Sequence, residues 1–200
     1  MPNLTAKFYE ETNNTKTKEY IETGAYHGEG VQMVLEEYEI VHSIELSQVW
    51  YDHCVNRFKD SPKVRMHHGN SKYILPQVLT NIQKPVTVYL DGHFSAGETA
   101  FGEEEINGVS SNPLVVELEI LMARPYNDII IIDDCRMIGK KDWINRGNTQ
   151  GMWPEYEYDW TNITEQKILD MLKPGYILFK NDNRQYTNGA EDQWILVFKS

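Results

Sequence analysis

Apolar and polar positions along this chain fall into a repeating order: a short apolar run, a segment with helical spacing, then another apolar run. Tyr20 to Thr23, Ile40 to Glu45, Val64 to His67, Val86 to Leu90 and Ile129 to Ile132 read as strands, the last being four consecutive isoleucines. Helical patterns lie between them over Gly28 to Tyr38, Ser47 to Phe58 and Ser71 to Ile82, with Ser47 capping the second and Asn70 or Ser71 opening the third. After the fourth strand, Asn112 caps a helix with Pro113 in its first position, and Leu114, Leu118, Leu121 and Met122 form its apolar stripe.

Asn162 followed by Glu165 resembles a capping box for a final helix, which Ile168, Leu169 and Leu172 carry to a stop at Lys173-Pro174-Gly175. Two more strands, Tyr176 to Lys180 and Trp194 to Lys199, are joined by the polar turn residues of 181–189, which predicts an antiparallel hairpin. Strict alternation of strand and helix predicts an α/β fold: one mostly parallel sheet of seven strands with an antiparallel last strand and helices on both faces. Phe94 to Ser111 and Arg136 to Trp160 break the alternation, and loops of that length inside a compact domain are expected to carry recognition.

Composition narrows the function classes. The 200 residues, 40% hydrophobic, suit one domain spanning 1–200 with a full core. A net charge of −11 with no Lys/Arg cluster argues against a nucleic-acid partner and favours a small neutral or cationic ligand. Cys54 and Cys135 are far apart and outside any metal-ligand spacing, so neither a disulfide framework nor a zinc site is expected. Met1 to Thr5 lacks the regions of a signal peptide, and no apolar run approaches the roughly 20 residues of a membrane span. A cytoplasmic protein with no membrane partner is the expectation.

Candidate chemistry gathers at strand ends. Asp91-Gly92-His93 follows the fourth strand and Asp133-Asp134 the fifth. In such a sheet, ligands bind outside the carboxyl ends of the strands, so three carboxylates and an imidazole there can form a metal-assisted proton-transfer site. Glu22-Thr23-Gly24-Ala25-Tyr26-His27-Gly28 follows the first strand and opens a helix, as a ligand-cradling loop does. A dinucleotide fingerprint would need further glycines where Tyr26 and Glu29 stand. Glu45 and Leu46 end the second strand and Gly69-Asn70-Ser71 the third, on the same edge. His42, His53, His67 and His68 read as packed or exposed side chains rather than ligands.

Across nearly its whole length the chain resembles the class I S-adenosylmethionine-dependent methyltransferases, which have a Rossmann-like fold. Its Glu-Thr-Gly-x-x-x-Gly, Leu-Asp-Gly-His and Ile-Asp-Asp motifs look most similar to metal-dependent sugar O-methyltransferases of the macrocin type. The resemblance implies S-adenosylmethionine held by Glu22, Thr23, Gly24, Ala25, Tyr26, His27, Gly28, Glu45, Leu46, Gly69, Asn70, Ser71 and Asp91. In this reading Glu45 takes the ribose hydroxyls and the 69–71 turn lies beside adenine. It further implies Mg2+ or Mn2+ on Asp91, Asp133 and Asp134, with Asp91 and His93 as the catalytic pair and His93 as general base. His93 stands where the family often has aspartate.

The acceptor implied is a sugar hydroxyl, such as that of a deoxyhexose in a glycan or natural product. A catechol-like acceptor and a non-catalytic module keeping this fold are the alternatives. A glycosyltransferase would leave the glycine loop unexplained, and Asp91-Gly92-His93 is not a DxD pair. Trp143, Trp153, Tyr156, Tyr158 and Trp160 are available to stack on a sugar ring or to pack the second loop. The chain starts just before the first strand, so acceptor binding is expected to rest on the two internal loops, a homodimer partner or a neighbouring domain of a larger glycan-processing protein.

Overall fold

The computed structural model describes residues 3–94, 99, 112–144, 156–181, 184–188 and 192–199. Nine strands and six α-helices are defined among them. The strands are β1 (Glu19–Thr23), β2 (Ile40–Glu45), β3 (Val64–His68), β4 (Thr87–Leu90), β5 (Ile129–Ile132), β6 (Lys141–Ile144), β7 (Tyr156–Asp159), β8 (Tyr176–Lys180) and β9 (Trp194–Phe198). The helices are α1 (Ala6–Thr12), α2 (Glu29–Val34), α3 (Gln48–Arg57), α4 (Ser71–Thr80), α5 (Leu114–Met122) and α6 (Glu165–Met171).

Seven strands form one sheet in the order β3-β2-β1-β4-β5-β9-β8. Neighbours from β3 to β5 pair in parallel, and β9 enters antiparallel between β5 and β8. This is the expected α/β sheet, and its central strands are buried on both faces; β5 accordingly reads as an unbroken apolar run, whereas β1 carries Glu22 into the interior. Alternate strand residues feed two cores. Ile21, Ile44, Val88, Ile130 and Leu196 pack with Leu75, Leu118 and Ile168 of α4, α5 and α6. Tyr20, Val41, Tyr89, Ile131 and Val197 pack with Phe8, Val31 and Cys54 of α1, α2 and α3.

Four differences from the sequence reading have local causes. The helix expected over Gly28 to Tyr38 stops at Val34, and Glu37 N–H turns back to the Val34 carbonyl. The final helix is capped by Thr164, whose hydroxyl accepts from Lys167 N–H, rather than by a box built on Asn162. A helix precedes the first strand: Thr5 caps α1, and Phe8 is wholly buried against Tyr9, Phe179 and Tyr186. Finally, the expected loop of 136–160 carries an antiparallel ribbon, β6 with β7, paired from Lys141–Asp159 to Ile144–Tyr156. Its base is clipped by the Trp160 N–H bond to the Lys140 carbonyl, 2.8 Å.

Of the two expected recognition loops, residues 95–98, 100–111 and 145–155, including Trp153, lie outside the described residues, as does the side chain of Tyr156. Among the described residues no helix is long and apolar enough to cross a membrane.

Candidate functional site

Parallel pairing of β2, β1, β4 and β5 in register brings their carboxyl ends to one edge of the sheet. Glu22, Glu45, Asp91, Asp133 and Asp134 all stand at or just beyond that edge. Two halves can be distinguished, one built on β1 and β2, the other on β4 and β5.

In the first half the backbone turns sharply after Thr23. Gly24 has φ +84°, and a Cβ there would sit 2.3 Å from the Asp91 carbonyl oxygen, so glycine is required by a close approach of two backbone segments. Its N–H bonds to the Ile44 carbonyl at 2.9 Å. Glu45, almost fully buried, then fixes the rest of the loop: Oε2 accepts from the N–H groups of Ala25 and Tyr26 at 2.9 Å, and Oε1 from that of Ser47 at 2.7 Å. Three of the roughly four acceptor positions of a carboxylate are thus used by backbone donors. The remaining one can take a single hydroxyl, where the sequence reading gave Glu45 both ribose hydroxyls. Burial raises its pKa, against the pull of those N–H groups.

Glu22 is fully buried on β1. Oε1 accepts from Ser43 Oγ at 2.7 Å, and Oε2 has no partner. Burial pushes this carboxyl up to about 8, opposed by the Ser43 bond and reinforced by Glu45. An acid with one idle buried oxygen is suited to a cationic group arriving from outside. Tyr26 takes a left-handed φ of +46°, stacks on His27 at 4.0 Å and leans on Trp50 at 4.6 Å. Gly28 serves packing instead of ligand approach: its φ is +80°, and a Cβ would lie 2.7 Å from Phe58. Asn70 caps α4 through Lys72 N–H at 3.0 Å, Ser71 is buried, and Leu46 offers its carbonyl to the His68 ring at 3.1 Å.

The second half concentrates charge. His93, nearly buried, lies between two carboxylates, with Nε2 2.9 Å from Asp134 Oδ2 and Nδ1 3.5 Å from Asp91 Oδ1. Trp160 closes over it edge-to-face at 5.1 Å, so this tryptophan packs the site from the ribbon side and is itself buried. Asp91 N–H bonds back to the Thr23 carbonyl at 3.1 Å. Burial, then Asp133 and Asp134, drive the Asp91 carboxyl well above its ordinary range.

Asp133 faces the other way. Oδ2 accepts from the Tyr89 hydroxyl and Oδ1 from Gln193 Nε2 at 3.0 Å. Burial raises its pKa, the Tyr89 bond opposing and Asp134 adding to the effect. Asp134 sits in left-handed backbone, φ +53°. Burial opposes ionisation there too, but the His93 bond and charge, with Arg136, hold its carboxyl below the usual value.

Among the described residues, donor atoms of Asp91, His93 and Asp134 lie within 4.8 Å of one another, and so do those of Asp133, Asp134 and Asp192. The three aspartates named from sequence therefore do not form one such set. Asp134 belongs to both groups, and Asp192, which shares Arg136 with it, joins from the turn before β9.

Three contributors escaped sequence reading. Tyr89 and Gln193 enter through long-range contacts with no local signature. Glu117 had one: it falls on the Leu114, Leu118, Leu121 stripe of α5. It is buried, with Oε1 unpartnered, beside Gly92, and burial pushes it up to about 7 despite hydrogen bonds from Ser71 and Thr23. With His93, Asn112, Asp133 and Trp160 it lines a cavity of about 10 Å³.

No protein-family model and no curated protein matches the sequence. Solved structures do. An S-adenosylmethionine-dependent methyltransferase from Clostridium acetobutylicum superposes with TM-score 0.53 at 12% identity, over 97% of this chain and 89% of its own. The Podospora anserina methyltransferase PaMTH1, solved with S-adenosylhomocysteine, gives 0.51 at 14% identity, over 92% and 72%. CalS10, an amino pentose methyltransferase from Micromonospora echinaspora solved with S-adenosylmethionine, gives 0.51 at 10% identity, over 97% and 87%. At these identities the likeness is one of architecture: the chain has the Rossmann-like fold of S-adenosylmethionine-dependent methyltransferases.

Proposed function

We propose that this chain is an S-adenosylmethionine-dependent O-methyltransferase acting on a sugar hydroxyl with the help of a divalent cation. The observation that carries the reading is the meeting of Asp91, His93 and Asp134 at the sheet edge that the Gly24 turn opens. The backbone of 24–28, the free position on Glu45 and the idle oxygen of Glu22 suit a ligand with hydroxyls and an ammonium group. Solved neighbours include an amino pentose methyltransferase, which supports a sugar acceptor.

The donor set fits a hard cation, since carboxylate oxygens are the preferred ligands of Mg2+ and Mn2+ and the crowded acids gain from a positive charge. Asp91 and Asp134 would hold it, with Asp133 adjoining through Asp134. When bound, such an ion supplies positive charge against the alkoxide that develops as the hydroxyl loses its proton. His93 does the proton transfer. Asp134 accepts from Nε2–H, which fixes the tautomer; Nδ1, on the Asp91 side of the ring, is the nitrogen that takes the hydroxyl proton, and Asp91 then faces the imidazolium at 3.5 Å. Trp160 keeps water from the ring.

Calorimetric titration of S-adenosylhomocysteine, with magnesium and with chelator, tests this. Micromolar binding, a magnesium heat lost in Asp134→Asn, and methyl transfer to sugars abolished in His93→Ala are the expected results. Absence of cofactor binding overturns the reading, and full activity under chelator removes the cation from it.

A further inference from the structure

Away from the carboxyl edge, on the face of β2 and β3 beside α4, lies a cavity of about 610 Å³. Its wall carries two imidazoles, with His42 Nδ1 3.0 Å from His67 Nε2 and the rings within 16° of parallel. The outer nitrogen of His42, Nε2, faces Glu19 Oε2 at 3.4 Å, and Glu19 is held in turn by Lys84 at 2.7 Å. Gln77 and Asn81 of α4 line the same space.

We infer that His42 and His67 form a second metal site, for a borderline transition ion such as Cu2+, Ni2+ or Zn2+. The arrangement differs from an incidental histidine contact in three respects. First, a carboxylate on the far nitrogen is the usual device that orients a ligating histidine: with Nε2–H given to Glu19, His42 Nδ1 is the bare nitrogen. Second, two nitrogens each 2.0–2.1 Å from one ion stand roughly 2.9 to 3.3 Å apart for right-angled to tetrahedral coordination, and the pair is already in that range.

Third, burial favours the uncharged form of both rings. Burial lowers the basicity of each, with Glu19 opposing at His42, and the neighbouring ring helps bring His67 down to about 4. Neutral imidazole is the ligating form. Binding replaces the hydrogen bond between the rings: they turn so that both lone pairs meet the ion off the line joining the nitrogens, and His67 Nε2 gives its hydrogen to solvent while Nδ1 takes one up, so no net proton is lost. The cavity leaves room for water or a small anion to complete the coordination. Imidazole nitrogens select these ions over magnesium, so the site is chemically separate from the carboxylate cluster.

Electron paramagnetic resonance of the protein with one equivalent of Cu2+ tests the assignment. Nitrogen hyperfine structure from two imidazoles is expected in wild type and in Asp134→Asn, and its loss in His67→Gln, whose folding is checked by its melting curve. His42→Gln should behave alike; should it fail to fold, His67→Gln decides alone. An unchanged signal in His67→Gln would place the copper elsewhere, for example at His27 and His53, and would overturn the inference. So would loss of the signal in Asp134→Asn. Because the readout needs no cofactor or acceptor, failure here leaves the methyltransferase reading untouched.

Discussion

Glu45 and Asp134 are both acids at the ends of parallel strands of one sheet, yet they do opposite things. Glu45 is mostly occupied: three backbone N–H groups bond its oxygens, and it ties the glycine loop to the end of β2. Asp134 is one of several carboxyl groups crowded around one imidazole and one guanidinium, and both Asp91 and Asp133 are pushed toward their neutral forms. The β1–β2 half of the site is finished architecture, whereas the β4–β5 half is electrostatically incomplete. Binding surfaces built from backbone donors are ready before the ligand arrives; charge clusters wait for a counter-charge.

The sharpest attack on the finished half is Gly24→Ala. It forces a side chain into φ +84° and within 2.3 Å of the Asp91 carbonyl, and should cost roughly 3 kcal/mol or more in urea unfolding. Gly139→Ala is the matched control: its φ is +74°, but nothing lies within 4 Å of the added carbon, so only the conformational cost of about 1 kcal/mol is expected. Equal losses would show that close approach is not what demands glycine at 24.

The next effect is in pH. Glu22 is raised to about 8 and Glu117 to about 7, and Asp91 is raised as well. A group with a raised folded-state pKa binds its proton more tightly when folded, so its stabilisation is complete below the ordinary carboxylate range and is lost as pH climbs through the folded value. Stability of the ligand-free protein should therefore fall by a few kcal/mol between about pH 5 and 8, and Glu22→Gln should flatten part of that slope. Asp134, shifted the other way, contributes stability that is lost only as pH falls into the acid range, so Asp134→Asn should leave the Glu22 and Glu117 part of the slope in place and relieve only part of what Asp91 adds. A flat wild-type profile would remove the contrast between the two halves.

The smallest and most discriminating effect concerns the aspartates themselves. Asp91→Asn and Asp134→Asn should weaken magnesium binding at least tenfold. Asp133→Asn, whose acceptor oxygens already serve Tyr89 and Gln193, should weaken it only a few-fold, as removal of a supporting partner does. Equal losses at all three would restore a single three-aspartate site.

Much of the architecture was legible because parallel strands announce themselves twice, as apolar runs and through the residues just beyond their carboxyl ends. The acids after Leu90 and Ile132 and the turn at Gly24 are local features whose convergence the fold guarantees. What sequence could not give was orientation. Asp133 and Asp134 are adjacent, but left-handed backbone at Asp134 sends the two side chains to different partners. The ribbon of β6 and β7 was hidden because Lys141-Asp142-Trp143-Ile144 shows no alternation, the alternation of Tyr156-Glu157-Tyr158-Asp159 is only four residues long, and pairing across ten or more residues has no local signature. Glu117 drew no reading from sequence, although it interrupts the Leu114, Leu118 and Leu121 stripe that packs into the core.

The clip between Lys140 and Trp160 has a consequence for how such a protein can change. The described ends of the ribbon meet at this hydrogen-bonded clip, with Gly139 N–H meeting the Ile163 carbonyl just beneath it at 2.8 Å, while Tyr158 packs back onto the core. A change at Trp160 would therefore be felt twice, in the ribbon that its N–H anchors and at His93, against which its ring packs.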